Sequence, residues 1–375
     1  MRHNKIDSQK IDGADGRRIA QIDGWRGISI LLVVTGHLVI LRYGDSPLSG
    51  PITLASTLAE LGVRIFFVIS GFIITTMALR ERLESGRFSA TGFYTRRLFR
   101  IVPPFAIFLV FVWGATEFGM IQSHLNDILF AAGFMCNLPG VVCGFFTSHT
   151  WSLAYEEQFY LLFPLLFIFR MTRIKIFILC LFILLMAFPF IAHALQLSER
   201  IKEAASFADR GFLFICAGAL AAVYMDRIKL IFLSRWASLT YWCALAVLIF
   251  ILLLHTHPQV QVSASLFAYL SKGLNITLLP VCIAWLVGSS VFHLNPLARL
   301  LESPPLQFLG MISYSLYLWQ QIFSAHPSYY LTNNWLLFPP LMLLMATLSY
   351  YLVELPCIRV GKLLVNTATS KHRRL

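Results

Sequence analysis

Ten stretches of mostly apolar residues alternate with short polar segments along the chain, at 27–42, 60–79, 101–119, 151–169, 176–194, 211–225, 236–254, 274–292, 308–325 and 335–354. At a rise of about 1.5 Å per residue, roughly 20 such residues cross the hydrocarbon core of a bilayer, so each stretch is read as a transmembrane helix. The stretch at 211–225 is short, and residues 262–273 either lengthen a neighbouring span or lie at the interface. The longest connection is 120–150, which leaves no room for an inserted soluble domain. The expected fold is all-α: a polytopic membrane helix bundle of about ten transmembrane helices over 23–356. A polar tail at 1–22 and a basic tail at 357–375 flank it. No apolar stretch with a cleavage site follows the first tail closely enough to make a signal peptide.

Composition agrees with the pattern. Of 375 residues, 58% are hydrophobic and 13% charged, and the mean hydropathy is +0.72, where soluble domains carry about 45–50% apolar and about 25% charged residues. Disordered, collagen-like and disulfide-scaffold classes are excluded together. The net charge of +12 is explained by position. If the first tail is cytoplasmic, 24 of the 30 Lys and Arg residues fall on the inner side, 5 fall outside, and Arg64 lies within a span. That bias predicts both termini in the cytoplasm, with the lipid bilayer as partner; the expected setting is a cell membrane, the bacterial inner membrane, which the chain crosses in multiple passes. No nucleic-acid motif competes for the same charges.

Six of the seven cysteines fall into two groups. Cys180, Cys216, Cys243 and Cys282 sit in apolar runs, where a thiol packs as a small hydrophobe. Cys136 and Cys143 share an outer loop, where oxidising surroundings permit a disulfide and spacing does not decide it. Metal-ligand spacing is absent, and His255 and His257 read as solvated loop residues.

Ionisable residues inside spans are costly, which makes them the first candidates for chemistry. The first span opens Ile22-Asp23-Gly24-Trp25-Arg26-Gly27 and later carries His37. Eleven steps at about 100° return to within about 20°, so Arg26 and His37 share a helix face and stand roughly 16 Å apart along it. His37 is either a hydrogen-bonded structural residue or a base near neutral pH. At the third span, Arg97 and Arg100 also share a face. Two guanidinium forks can hold phosphate groups, although arginines at an inner span end also satisfy the topology rule. The fourth span begins Trp151-Ser152-Leu153-Ala154-Tyr155-Glu156-Glu157-Gln158-Phe159-Tyr160, and one of its adjacent carboxylates is expected to face the bundle interior, on the same outer side as His37. Ser313, Tyr317 and Gln320 form a polar stripe on the ninth span that either lines a cavity or bonds helix to helix. Arg64 and Arg210 add positive charge on the outer side, within reach of Glu60, Glu156 or Glu157.

Together these motifs resemble acyltransferase family 3, integral membrane O-acyltransferases that modify carbohydrates and other exported molecules. The resemblance runs from about Ile22 to Glu354. It rests on the first-span motif with ten residues between Arg26 and His37, on Gly62-Val63-Arg64-Ile65-Phe66-Phe67-Val68-Ile69-Ser70-Gly71-Phe72, and on Arg97-x-x-Arg100. It is completed by Trp151-Ser152-Leu153 with Glu156-Glu157-Gln158-Phe159-Tyr160, and by Ser313-Tyr314-Ser315-Leu316-Tyr317-Leu318-Trp319. It implies a catalytic His37, Arg26 in the same motif, Arg97 and Arg100 on an acyl-CoA donor, and Glu156 or Glu157 near the acceptor side. Arg210 carries over more weakly as a substrate contact. Many relatives have a histidine where this chain has Gln320 and a proline where it has Ile322, which argues against proton transfer on the ninth span. Only about twenty residues follow the last span, so the hydrolase-like domain that some relatives append is not expected.

The expected activity is therefore transfer of an acyl group, acetyl by default, from cytosolic acyl-CoA to a hydroxyl of an exported or cell-surface carbohydrate or related acceptor. His37 serves as general base, and neither a metal nor a bound cofactor is expected. Two rivals belong to other classes. A secondary transporter of a small anionic or sugar-like solute shares the span count, but no repeated halves are visible. A catalytically silent scaffold of the same fold is made conceivable by Gln320.

Overall fold

The structure, a computed structural model, describes residues 19–43, 49–256, 266–292, 296–324 and 337–372, so most of the first tail, His257 and residues 373–375 lie outside the described residues. Among the described residues the chain is helical, without a strand. The first three helices are α1 (Ala20–Tyr43), α2 (Ser49–Ser85) and α3 (Ala90–Glu117). The connection after α3 carries α4 (Leu125–Ala132) and α5 (Phe145–Ser148), followed by α6 (Trp151–Leu162) and a 3-10 turn at Phe163–Ile168. Then come α7 (Met171–Ala194), α8 (Glu199–Arg210), α9 (Phe212–Val223), α10 (Met225–Phe232), α11 (Ala237–His255), α12 (Leu266–Thr277) and α13 (Leu279–Phe292). The last helices are α14 (Pro296–Leu301), α15 (Pro304–Phe323), α16 (Phe338–Ser349) and α17 (Leu355–His372), with a π turn at Tyr350–Glu354.

Where it is described, each of the ten apolar stretches forms helix, but among the described residues six unbroken helices are long and apolar enough to cross a membrane, or up to eight if two bent pairs each count as one span. That number falls short of the ten spans expected from hydropathy. The physical reasons are local. Pro164 lacks the N–H that an α-helix needs, and the 151–169 stretch tightens there into the 3-10 turn. The 211–225 stretch continues a bent α8–α9 pair, and 274–292 is bent by 41° between α12 and α13. Nor does the last stretch end where the tail was expected. Helix runs through the π turn into α17, with Pro356 at the point where an N–H is missing.

The core forms where α1 packs between α2 and α15, and where α9 packs on α2. Small residues make these contacts close, which matters in a bilayer because helices there gain little from hiding apolar surface. A Cβ placed on Gly71 would overlap the Ile215 carbonyl, and one on Gly218 would overlap the Val68 carbonyl. The α1–α15 contact is built the same way from Gly27 and Gly310, which face the carbonyls of Leu306 and Asp23.

These contacts predict an asymmetry among glycines. Gly218→Leu should push α9 off α2 and destabilise the protein by about 1–3 kcal/mol. Gly114→Ala, at a position with nothing within 4 Å, should be neutral or stabilising. Thermal unfolding of both variants in the same detergent checks the difference.

Candidate active site

Close packing of α1 decides what its polar residues face. Trp25 donates from Nε1 to Ser290 Oγ at 2.9 Å, and Gly24 and Gly27 press against the carbonyls of Leu301 and Leu306. That rotation points Arg26 at α15, where its Nε donates to Ser313 Oγ at 3.2 Å.

Helix α3 is started by Ser89, whose side chain accepts from the Gly92 N–H at 3.1 Å. One step before the pair of interest, Arg96 turns away to an ion pair with Glu81 at 2.9 Å. Arg97 and Arg100, three apart, both line the same cavity, so the shared face read from their spacing is realised. The Arg97 guanidinium lies 4.9 Å from the centre of the Tyr160 ring. The Tyr160 hydroxyl donates to Glu156 Oε2 at 2.7 Å and stands 2.6 Å from Ser70 Oγ. Since the tyrosine proton is used on the carboxylate, Ser70 is the donor in its pair. Tyr314, at the cavity wall, donates to the Ile101 carbonyl at 2.8 Å and ties α15 to α3.

The resulting cavity is about 110 Å³, and Arg26, Arg97, Arg100 and Glu156 line it along with Ser70, Tyr160, Ser313 and Tyr314. Glu156 sits in the electrostatic field of Arg97, Arg26 and Arg100. Of the two neighbouring carboxylates, Glu156 therefore faces the cavity, while Glu157 is off its wall with Oε1 buried and unpartnered. The carboxylate expected to face the bundle interior is Glu156, and it shares the cavity wall with Arg26, Arg97 and Arg100 rather than with His37.

Val63, Phe66, Ser152 and Tyr317 also line the cavity. Ser152 Oγ lies 2.7 Å from the Tyr317 hydroxyl, which donates to the His149 carbonyl at 2.7 Å. His37 is half-buried and is not part of the cavity wall. Its Nδ1 lies 2.8 Å from the Val33 carbonyl. A carbonyl can only accept, so in the neutral ring Nδ1 carries the proton and Nε2 keeps the lone pair that a base needs.

His149 was missed by sequence reasoning. It lies in the connection just before α6, is only 4% exposed, and feels the charge of His37. Burial, with a smaller contribution from His37, pushes its imidazole down to about 3, so the ring is neutral throughout the physiological range. Its position in a polar run, Thr147-Ser148-His149-Thr150, directly ahead of the Trp151-Ser152-Leu153 motif, was the available signal.

Other expectations fare differently. Cys136 and Cys143 are joined by a disulfide, closing the loop between α4 and α5. Arg210 is exposed and is not on the cavity wall. Arg64 pairs with Glu60 at 2.7 Å. His255 is not solvated: it is half-buried, with Nδ1 3.0 Å from Ser271 Oγ and 3.3 Å from the side-chain amide of Asn275. The ninth-span stripe divides, because Ser313 and Tyr317 line the cavity while Gln320 bonds locally to Gln321 and Ser324. Among the described residues no three His, Cys, Asp or Glu side chains converge as metal ligands do.

Comparisons with known proteins agree with this arrangement of motifs. O-acetyltransferase OatA of Staphylococcus aureus (strain NCTC 8325 / PS 47) is 28% identical over 92% of this chain and 58% of its own length. A protein of S. aureus strain COL whose name also carries the word O-acetyltransferase is 26% identical over the same shares. A Haemophilus influenzae protein named as uncharacterized is 32% identical over 46% of this chain and 78% of its own. The chain thus spans a little over half the length of the staphylococcal relatives. No solved structure matches. The family of acyltransferase domains to which the motifs pointed matches residues 19–354, a stretch that takes in Arg26, His37, Arg97, Arg100, Glu156 and Tyr317, and the chain belongs to that acyltransferase 3 family.

Proposed function

We propose that this protein is a membrane O-acyltransferase that moves an acetyl group from cytosolic acetyl-CoA to a hydroxyl of an exported or cell-surface carbohydrate. The observation that carries this reading is the cavity on whose wall Arg26, Arg97 and Arg100 stand against the one carboxylate of Glu156. A wall with that surplus of guanidinium suits the phosphates of a CoA ester, which fork geometry can grip in pairs. The bundle makes ten crossings of a bacterial inner membrane with both ends of the chain in the cytoplasm, as the distribution of Lys and Arg favours. Donor then enters from the arginine side, its thioester reaching past Ser70 and Tyr314 toward Tyr317. The acceptor approaches from the other face, toward His37.

In this scheme His37 Nε2 takes the proton of the acceptor hydroxyl while that oxygen attacks the thioester carbon. The Nδ1–H bond to Val33 holds the tautomer that makes Nε2 the base. Glu156 acts on the donor side: its carboxylate, bonded to Tyr160, compensates the arginines and holds Arg97 over the tyrosine ring. Arg210 and Glu157, away from the cavity, are assigned no direct contact with the donor.

Two predictions separate the parts. His37→Ala in purified protein should lower acetyl transfer by at least about 100-fold, the scale of a lost general base. Binding of acetyl-CoA, followed by isothermal titration, should stay near wild type. An active His37→Ala variant sinks the assignment. Arg97→Lys keeps the charge but loses the planar fork, and is expected to raise KM for acetyl-CoA about tenfold, equivalent to about 1.4 kcal/mol. An unchanged KM counts against donor binding at this position.

A further inference from the structure

Acyl transfer passes through a tetrahedral carbon whose oxygen becomes negative, and such reactions are accelerated by a donor held ready for that oxygen. The three arginines that line the cavity are poorly placed for it: Arg26 alone is roughly 16 Å below His37 along α1. A different group stands at the His37 end.

His149 has a fixed backbone, and its ring nitrogens bond to no other side chain. Its carbonyl receives the Tyr317 hydroxyl at 2.7 Å, and the next residue, Thr150, bonds back to the Thr147 carbonyl at 2.8 Å. Its ring is wedged between Phe108, 5.5 Å away edge-on, and Tyr317, at 5.4 Å. Yet both Nδ1 and Nε2 are buried without a hydrogen bond of ordinary geometry; the Leu318 carbonyl lies beside the ring, poorly aligned. Leaving a buried polar group unpaired is costly, so a native structure that does so calls for a reason. Position supplies one. His149 stands directly behind the cavity wall: Tyr317 lines the wall and its hydroxyl reaches the His149 backbone carbonyl. On the far side, His149 is in the field of His37.

Building on the acyltransferase reading, we infer that His149 donates a ring N–H to the carbonyl oxygen of the donor thioester and stabilises the oxyanion formed when the acceptor attacks. The step balances as follows. His37 Nε2 takes the acceptor proton, the acceptor oxygen bonds to the thioester carbon, and the C=O pair moves onto the oxygen beside His149. Collapse restores C=O, breaks the C–S bond and releases CoA thiolate, which takes the proton from His37. His149 ends the cycle as it began, neutral and protonated at the same nitrogen. A neutral imidazole suits this role, because it donates without competing with His37 for the proton.

The test uses the full chain in detergent, with acetyl-CoA as donor and water as acceptor, and measures release of the CoA thiol. His149→Ala should lower turnover about 100- to 1,000-fold, the usual effect of removing one oxyanion donor. The dissociation constant for acetyl-CoA, measured by titration calorimetry, should stay within about threefold of wild type, because His149 is off the arginine side. His149→Gln keeps an N–H near the same place and should recover at least about tenfold over the alanine variant. Turnover of His149→Ala within about threefold of wild type overturns the inference. So does equal loss in the alanine and glutamine variants, or loss of acetyl-CoA binding in both, since either marks a merely structural residue. A wild type that releases no thiol overturns the acyltransferase reading itself, and this assignment with it.

Discussion

Charge buried among apolar helices is the constraint on which the rest of the structure depends. A charged side chain held among apolar helices is costly unless polar groups or opposite charge answer it. The protein meets this cost by gathering Arg26, Arg97 and Arg100 around one cavity, with Glu156 in their midst and hydroxyls of Ser313, Tyr160 and Ser70 close by. The compensation is partial, and the surplus of positive charge is what an anionic ligand would answer.

Rigid packing makes that arrangement possible. Guanidinium groups on long side chains hold a useful position only if their helices do not rotate. Here rotation is set by backbone-to-backbone contact at Gly24, Gly71, Gly218 and Gly310 and by hydrogen bonds that cross between helices, such as Trp25 to Ser290 and Tyr314 to Ile101. The connection between α3 and α6 is likewise tied down by the Cys136–Cys143 disulfide and by Asn137 bonded to Gln158 on α6. The two histidines occupy the other end of the same framework, His37 held by its own helix and His149 by α15.

Much of this was legible along the chain because helical periodicity is local. The apolar stretches, the shared face of Arg97 and Arg100 and the acid-bearing α6 needed only a ruler of 3.6 residues per turn. Helix breaks were harder. The 3-10 turn at Pro164 and the π turn before Pro356 change the regular span count without changing the hydropathy that revealed the stretches. Which of Glu156 and Glu157 faces inward was also beyond reach, since adjacent residues differ by about 100° and only the neighbours of α6 decide between them. His149 was hidden for a related reason: its burial comes from Phe108 and Tyr317, contacts from remote parts of the chain that no local pattern contains.

The central claim is that one cavity holds a CoA ester with its phosphates at the arginines and its thioester at the histidines. A cryo-electron microscopy structure of the protein with CoA bound tests this most directly. The account predicts phosphate density within hydrogen-bond distance of Arg97 and Arg100, and the CoA sulfur near the Tyr317 hydroxyl, on the way to His37 and His149. Density for CoA elsewhere, or a sulfur pointing away from Tyr317, would contradict it.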